Sequence, residues 1–327
     1  MKNISASAPG KLMLFGEHAV VYNRPCLVTS VEHRMAVQLK KREDNRIILN
    51  APEVGLKDYS LFIDDLEKSH SKGARFVLQA IFNFSKKYRM KTGLEIETRS
   101  EFSSKFGLGS SSAITVSTLK GLAELFGIKM EKKELFDLAY QTVLDIQGVG
   151  SGFDVASAAY GGILYFLTGG KIIEEIKVDK LPIIVGYTGI KADTPTLIRM
   201  VSNKLSQEPR KINKIFDEIE KIVDLAKIEI ENQRWEKVGQ LMNLNQDLLR
   251  KLGVSSRELE NLIEAALGAG AYGAKLSGAG GGDCMIALGP KEKLNRIKMA
   301  IEKAGGKIIE AKIPAEGVKI ESNSNHN

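Results

Sequence analysis

The sequence predicts a two-domain protein in which helices and strands are mixed. Its 327 residues exceed the roughly 100–200 residues of one ordinary domain, so two domains or one large domain are expected. Apolar residues make up 43% and charged residues 27%, close to the globular average, which excludes intrinsic disorder and collagen-like structure. Charges alternate after Gly169 and Gly170, and a β pattern resumes at Pro182. We therefore expect a boundary near 170–182, with domains at 1–178 and 179–327.

The first domain is expected to begin with antiparallel strands and to continue with helices. Strands are predicted where β-branched or alternating apolar residues form short runs. Helices are predicted where apolar residues recur every three or four positions. The strand runs lie at 11–15, 27–31, 35–39, 46–49, 94–98 and 161–167; the helical runs lie at 72–88, from a glycine-rich loop to Phe126, and at 132–145.

The second domain shows the same two signals, with longer helices. Ser255 or Ser256, ahead of Glu258 and Glu260, is typical of a helix N-cap. The strand runs lie at 182–185, 284–288 and 307–313; the helical runs lie at 212–232, 235–252, 256–268 and 291–304.

Two glycine-rich loops are candidates for binding phosphate. Residues 107–112 (GLGSSS) precede a helical pattern, and residues 277–283 (SGAGGGD) precede a strand. Glycine lets backbone N–H groups approach phosphate oxygens, and a helix N-terminus adds partial positive charge. The alternatives are an ordinary Gly/Ser loop for the first and a helix-to-strand turn for the second. The first loop lacks Walker A spacing and is not followed by the strand and acidic residue of a dinucleotide site.

Four further residues carry groups suited to catalysis. Asp154 follows a third glycine-containing loop, where a carboxylate serves as a base or holds a lysine, although helix N-capping alone also explains it. Lys11 enters an apolar strand, where it either snorkels to solvent or meets a partner such as Asp154. Glu17 and His18 end that strand together, and satisfied turn residues are the alternative.

Composition argues against several classes of function. The net charge of +7 and pI near 9.1 arise from basic residues interspersed with acids, and aromatics are only 6%, so nucleic-acid binding is not expected. The four histidines show no zinc-ligand spacing. Two cysteines make no disulfide framework, and no signal peptide or membrane-spanning stretch is visible. A cytoplasmic protein without membrane partners is the expectation.

Three motifs in this order resemble the GHMP family of small-molecule kinases. They are residues 9–22 (PGKLMLFGEHAVVY), 107–111 (GLGSS) and 275–282 (KLSGAGGG). The resemblance runs from about residue 5 to 315. It implies an α+β architecture, with a ribosomal-S5-like N-terminal domain and a ferredoxin-like C-terminal domain enclosing an active-site cleft. It also implies ATP-dependent phosphorylation of an alcohol with Mg²⁺, and it is compatible with a homodimer.

Within the family, residues 16–22 and 243–255 resemble the mevalonate kinase branch, which implies mevalonate as the acceptor. Residues 150–154, 282–284 and 105–109 are more similar to phosphomevalonate kinases, so 5-phosphomevalonate is the alternative acceptor. A related sugar kinase is a weaker alternative.

Two positions depart from the mevalonate kinase pattern. Ser103 stands where the pattern has proline, and Val143 where it has a metal-binding glutamate. Asp145 is two positions away, about 200° around a helix. The sequence therefore does not identify the residue that would be the second Mg²⁺ ligand.

The resemblance also implies a role for each matching residue. Ser111 would hold Mg²⁺, Asp154 would be the catalytic carboxylate paired with Lys11, and Glu17, His18 and Thr194 would face the acceptor. The remaining positions would contact the nucleotide: Gly107, Leu108, Gly109, Ser110, Ser111, Ser112, Gly278, Gly280 and Gly281.

Overall fold

The computed structural model describes residues 3–68, 71–102 and 106–322. Ser103 lies outside the described residues. The strands are β1 (Asn3–Phe15), β2 (Cys26–Lys41), β3 (Arg46–Ala51), β4 (Leu56–Phe62), β5 (Leu94–Ser100), β6 (Ile163–Leu167), β7 (Ile172–Ile176), β8 (Ile183–Tyr187), β9 (Gly273–Ser277), β10 (Cys284–Leu288), β11 (Lys307–Ile309) and β12 (Lys319–Ile320). The helices are α1 (Arg75–Tyr88), α2 (Ser110–Phe126), α3 (Lys132–Gln147), α4 (Phe153–Tyr160), α5 (Thr194–Gln207), α6 (Pro209–Glu231), α7 (Trp235–Leu252), α8 (Arg257–Gly268) and α9 (Leu294–Lys303).

The first sheet is built around the long antiparallel pair β1 and β2. The first half of β2 also pairs with β6, and its second half pairs with β5. β3 joins β5 in parallel, so the main path runs β12-β1-β2-β5-β3-β4, with β6 and β7 branching from β2. Helix α2 packs on β1 and β2 and is flanked by α1, α3 and α4. It is buried on most sides, as expected for a helix enclosed between a sheet and other helices.

The second sheet has four antiparallel strands in the order β11-β8-β10-β9. In chain order these strands are β8, β9, β10 and β11. The last of them, β11, lies beside the first, β8, and β10 lies between β8 and β9. Helix α9 connects β10 to β11. That arrangement is the ferredoxin-like β-α-β-β-α-β pattern, which the resemblance implied for this domain. Four helices, α5 to α8, replace the single helix of the first crossover.

Helix α5 is missing from the sequence-based expectation. It starts at Thr194, where the Asp193 side chain accepts from Thr196 N at 3.2 Å and Pro195 lies in the first turn. Both are helix-start signals. The helix is amphipathic and lies on the surface, with Val201 as its fully buried side chain. The sequence contains the start signal of this helix, but polar residues predominate in the helix and made it hard to recognise from the sequence.

The segment after β11 returns to the first sheet. The Ser30 hydroxyl donates to Ala315 O at 2.6 Å, and the buried Arg34 guanidinium donates to the carbonyls of Glu316 (3.0 Å) and Gly317 (2.7 Å). A buried guanidinium needs such acceptors for its N–H groups, and these carbonyls hold β12 beside β1. The division into 1–178 and 179–327 stays a prediction, but the C-terminal strand crosses it.

No helix in the described part of the chain is long and apolar enough to cross a membrane.

Candidate active site

The three motifs meet where β1 of the first sheet contacts β9 of the second. Ser277 Oγ, at the end of β9, accepts from Met13 N at 3.0 Å and donates to Met13 O at 2.9 Å. The loop that follows reaches His18, whose Nε2–H donates to Ala279 O at 2.9 Å. The first and third motifs therefore share one junction, although they are more than 250 residues apart in the chain.

The second motif joins this junction through Lys11. Its backbone N–H donates to Leu108 O at 2.9 Å, and its Nζ donates to Gly107 O at 2.9 Å. Gly107 and Gly109 have φ values of 70° and 79°, a left-handed conformation that glycine adopts readily. Gly109 is also the N-cap of α2 and provides no side-chain cap. The N–H groups at this helix start are thus available to an anion.

Gly109 also allows Lys11 and Asp154 to approach each other. A Cβ on Gly109 would lie 3.0 Å from Lys11 Cγ and 3.8 Å from Asp154 Cβ. Asp154 lies in the first turn of α4, while Gly152 is the N-cap, so the N-cap explanation for Asp154 is wrong. One lysine and one carboxylate therefore flank the phosphate-binding candidate.

The expected ion pair between Lys11 and Asp154 is not formed. Lys11 Nζ binds Gly107 O, and the Asp154 carboxylate accepts from Ser112 Oγ at 2.5 Å. Ser112 is fully buried and its hydroxyl is bound to Asp154, while its nucleotide contact, expected through the backbone amide, stays a prediction. Leu108 is likewise buried and its carbonyl accepts from Lys11 N, so its nucleotide contact stays a prediction. Ser110 and Ser111 are half-buried at the helix start.

Glu17 forms a fully buried ion pair with Lys275, a lysine for which the sequence analysis found no role. Burial raises the pKa of Glu17 and lowers the pKa of Lys275, while the attraction between the two opposes both shifts. Glu17 Oε2 has no hydrogen-bond partner in the described chain. If Glu17 contacts the alcohol that accepts the phosphoryl group, Oε2 is the carboxylate oxygen available for that contact.

Lys275 was detectable in principle. Every residue of β9 is buried, and Lys275 is the only ionisable residue in this strand. The other residues of the strand have small or apolar side chains. A lysine inside such a strand requires a carboxylate partner. The sequence does not say which of the chain's acids supplies it.

His18 lies beside this pair and is 6% exposed. Burial lowers the pKa of its imidazole, and the bond to Ala279 O partly offsets the effect. Its φ of 61° is unusual for a residue other than glycine. The turn that follows β1 within the first motif is thus constrained and is held against the loop of the third motif at Ala279.

Comparison with known proteins agrees with this arrangement. The family model for the GHMP kinases N terminal domain matches residues 75–162, and the model for the GHMP kinases C terminal domain matches residues 226–307. The chain belongs to the GHMP kinase family. A mevalonate kinase of Thermococcus sibiricus is 36% identical over 97% of this chain and 98% of its own. A mevalonate kinase of Pyrococcus abyssi is equally similar.

Solved structures agree as well. The Methanococcus jannaschii mevalonate kinase superposes with a TM-score of 0.83 at 28% identity, covering 96% of this chain and 99% of that one. The predicted family and its two-domain fold are confirmed, and the protein is an ATP-dependent kinase.

Asp283 connects the glycine loop at residues 107–109 to the segment that leads to Thr194. Its Oδ1 accepts from Ala192 N at 3.0 Å, and a Cβ on Gly107 would lie 2.4 Å from its Oδ2. Burial raises the pKa of this carboxyl, while Lys191 and Lys11 oppose the shift. Thr194 is exposed at the start of α5, so its acceptor contact stays a prediction.

The kinase has no second carboxylate at the position where the resemblance placed one. Val143 is 3% exposed and packs inside the protein. Asp145 lies nearby on α3, where it accepts from Asn83 Nδ2 at 2.8 Å and Gln141 Nε2 at 2.6 Å. Within residues 3–68, 71–102 and 106–322, no group of three or more His, Cys, Asp or Glu side chains is arranged to hold a metal.

The loop of the third motif (residues 277–283) packs closely against the backbone at Val254, and alanine variants of its glycines test this contact. A Cβ on Gly280 would lie 2.1 Å from Val254 O, whereas a Cβ on Gly278 would meet nothing within 4 Å. Both glycines have positive φ, 81° and 104°, so both alanine variants carry backbone strain of about 1–3 kcal/mol. Gly280→Ala adds a backbone clash, and we expect it to lower the free energy of unfolding further than Gly278→Ala. Equal urea midpoints for the two variants would contradict this packing.

Proposed function

We propose that this kinase transfers the γ-phosphoryl group of ATP to the primary alcohol of mevalonate, giving 5-phosphomevalonate for isoprenoid biosynthesis. The observation that carries the proposal is the convergence of Lys11, the glycine loop and Asp154 at the start of α2. The choice of acceptor is supported by relatives at 34–36% identity over almost the whole chain that are named mevalonate kinases.

The donor side of the site suits a triphosphate. The uncapped start of α2 presents N–H groups and partial positive charge. Lys11 Nζ lies at the Gly107 carbonyl, where it can stabilise negative charge that increases in the transition state. Phosphoryl transfer needs alignment and charge neutralisation more than covalent chemistry, and backbone donors with one lysine meet that need.

The family implies Mg²⁺, and the donor set here fits a nucleotide-borne ion. Mg²⁺ keeps several waters and binds through few protein groups plus substrate phosphates. The Ser111 hydroxyl would hold it, because this residue is half-buried at the start of α2. When bound, the ion neutralises phosphate charge. With Val143 at the second position, the protein supplies fewer carboxylate ligands than the mevalonate kinase pattern.

Asp154 is placed to handle the proton of the acceptor hydroxyl. A neutral alcohol is a weak nucleophile without an adjacent base. Asp154 was expected either to take this proton or to orient Lys11. Its carboxylate is bound to Ser112 and forms no ion pair with Lys11, which favours the role of base.

A comparison of two acceptors tests the proposed function. We expect ATP consumption, followed by a coupled assay and by mass of the product, with mevalonate and not with 5-phosphomevalonate. The two acids differ by one anionic group, so a pocket for the phosphorylated acid would need an additional basic cluster beside the acceptor. Turnover of the phosphorylated acid alone would reverse the assignment in favour of phosphomevalonate kinase.

A homodimer and a cytoplasmic location remain proposals that rest on the family resemblance. Sedimentation at micromolar protein concentration would test the first.

A further inference from the structure

Ser112 differs from the other hydroxyl residues of α2. Three of those hydroxyls bind carbonyls of their own helix: Thr115 binds Ser111 O, while Ser117 and Thr118 bind Ile114 O. This local bonding is usual for serine and threonine in helices. Ser112 instead donates to Asp154 Oδ2, on a different helix, at 2.5 Å. The hydroxyl thus connects the phosphate-loop helix to α4.

The environment of this hydrogen bond restricts the carboxylate. Ser112 is 0% exposed, so its hydroxyl does not exchange this acceptor for bulk water. Asp154 is only half-buried, and Oδ2 is held on its buried side. A donor on one carboxylate oxygen hinders rotation of the group, and a hydrogen bond to a charged acceptor is stronger than one between neutral groups.

We propose that Ser112 is a positioning residue for the phosphoryl-transfer reaction, and that it holds Asp154 Oδ2 so that the other carboxylate oxygen is directed to the acceptor hydroxyl. The inference rests on the proposed function, because it takes Asp154 as the catalytic carboxylate. It assigns Ser112 to the acceptor side of the reaction, although its sequence position lies in the nucleotide motif.

The position of the base matters because proton transfer depends steeply on geometry. A general base acts within hydrogen-bond reach of the proton that it removes, and small displacements of reacting groups cost large factors in rate. Lys11 does not hold Asp154, since its Nζ is bound to Gly107 O. Ser112 is therefore the side chain whose hydrogen bond fixes this carboxylate in the described structure.

Ser112→Ala tests the proposal, with Ser117→Ala as its matched control. Ser117 is also fully buried on α2, but its hydroxyl binds the carbonyl of Ile114. We expect Ser112→Ala to lower kcat by about 10–100-fold, the factor that corresponds to a hydrogen bond to a charged group. The KM for ATP should stay within about twofold, and Ser117→Ala should keep nearly the wild-type kcat.

A double-variant cycle separates positioning from general damage. In an Asp154→Asn background, Ser112→Ala should cause little further loss of kcat, because the carboxylate that it positions is already gone. Labelled ATP allows the slow turnover of these variants to be measured. An equal loss in both backgrounds, or a loss that falls on the KM for ATP, would overturn the positioning role.

Two further measurements keep the outcome clear. If Ser112→Ala does not fold, as judged by thermal unfolding, Ser112→Cys replaces it, because a thiol is nearly the same shape and a weak donor. A wild-type kcat in folded Ser112→Ala, or a loss of kcat for Ser112→Cys that is equal in the wild-type and Asp154→Asn backgrounds, refutes the proposal. Inactivity of the wild-type enzyme on mevalonate would instead refute the proposed function, and the Ser112 series would then be measured with the alcohol that the enzyme does phosphorylate.

Discussion

Replacing Asp154 with asparagine is expected to lower kcat by about 10²–10⁴-fold, the usual contribution of a positioned general base. The amide preserves the shape of the side chain and removes its ability to accept the acceptor's proton. Asp154 lies in the first turn of α4, across Gly109 from Lys11, while the phosphate donors lie on a different helix. ATP affinity should therefore change by less than about threefold, since the start of α2 is left intact. Single-turnover kinetics and calorimetric titration of ATP measure the two effects.

Asp145→Asn is the matched control for this variant. Asp145 is a carboxylate on the neighbouring helix α3, where it accepts from Asn83 and Gln141. Its replacement should leave kcat nearly unchanged. A kcat for Asp154→Asn close to that of the wild type would exclude Asp154 as the base and indicate an enzyme that uses another base.

Replacing Lys275 with methionine is expected to lower the free energy of unfolding by about 3–5 kcal/mol, because it leaves a buried carboxylate without its cation. Glu17 and Lys275 are both fully buried, and they connect the first motif to β9. The double variant Glu17→Gln with Lys275→Met should recover most of the loss, since replacing both members of a buried pair is often nearly neutral. Urea unfolding measures each step.

The loss of unfolding free energy in Lys275→Met should depend on pH, and the raised pKa of Glu17 fixes the direction. Burial raises the pKa of Glu17, so the folded state binds this proton more tightly than the unfolded state. Stability from such a group is present at low pH and is lost as pH rises through the folded pKa. Without Lys275 to oppose the shift, the deficit should be largest at neutral pH and should shrink as pH falls toward the usual range of glutamate.

Lys298→Met is the control for the loss of a lysine. Lys298 forms a pair with Glu310 on the surface of the second domain, and exposed pairs contribute roughly 0–1 kcal/mol. If Lys275→Met and Lys298→Met unfold at the same urea concentration, the buried pair does not stabilise the junction between the domains.

Asp154→Asn and Lys275→Met change two different sets of contacts between the motifs. Asp154 and Lys11 converge within the first domain, on either side of Gly109. Glu17 and Lys275, like His18 and Ala279, join the two domains. Under the proposed function, the chemistry depends on the packing of α4 against α2, and the junction of β1 with β9 shapes the region around Glu17 and His18.

The sequence by itself determined many of the regular elements, although not α5, and it determined the three motifs and the family. Periodicity of apolar residues reports which face of a helix or strand is buried, and glycine clusters report backbone conformations that other residues avoid. Both signals are local, so strands such as β10 (Cys284–Leu288) were predicted with their observed bounds.

Only the tertiary structure decided which side chains meet. It paired Lys275 with Glu17, paired the Ser112 hydroxyl with Asp154, and returned β12 to β1. Each of these contacts joins groups between 42 and 314 residues apart. A hydrogen bond or an ion pair depends on positions in space, and a local pattern shows that a buried polar group needs a partner without showing which residue provides it.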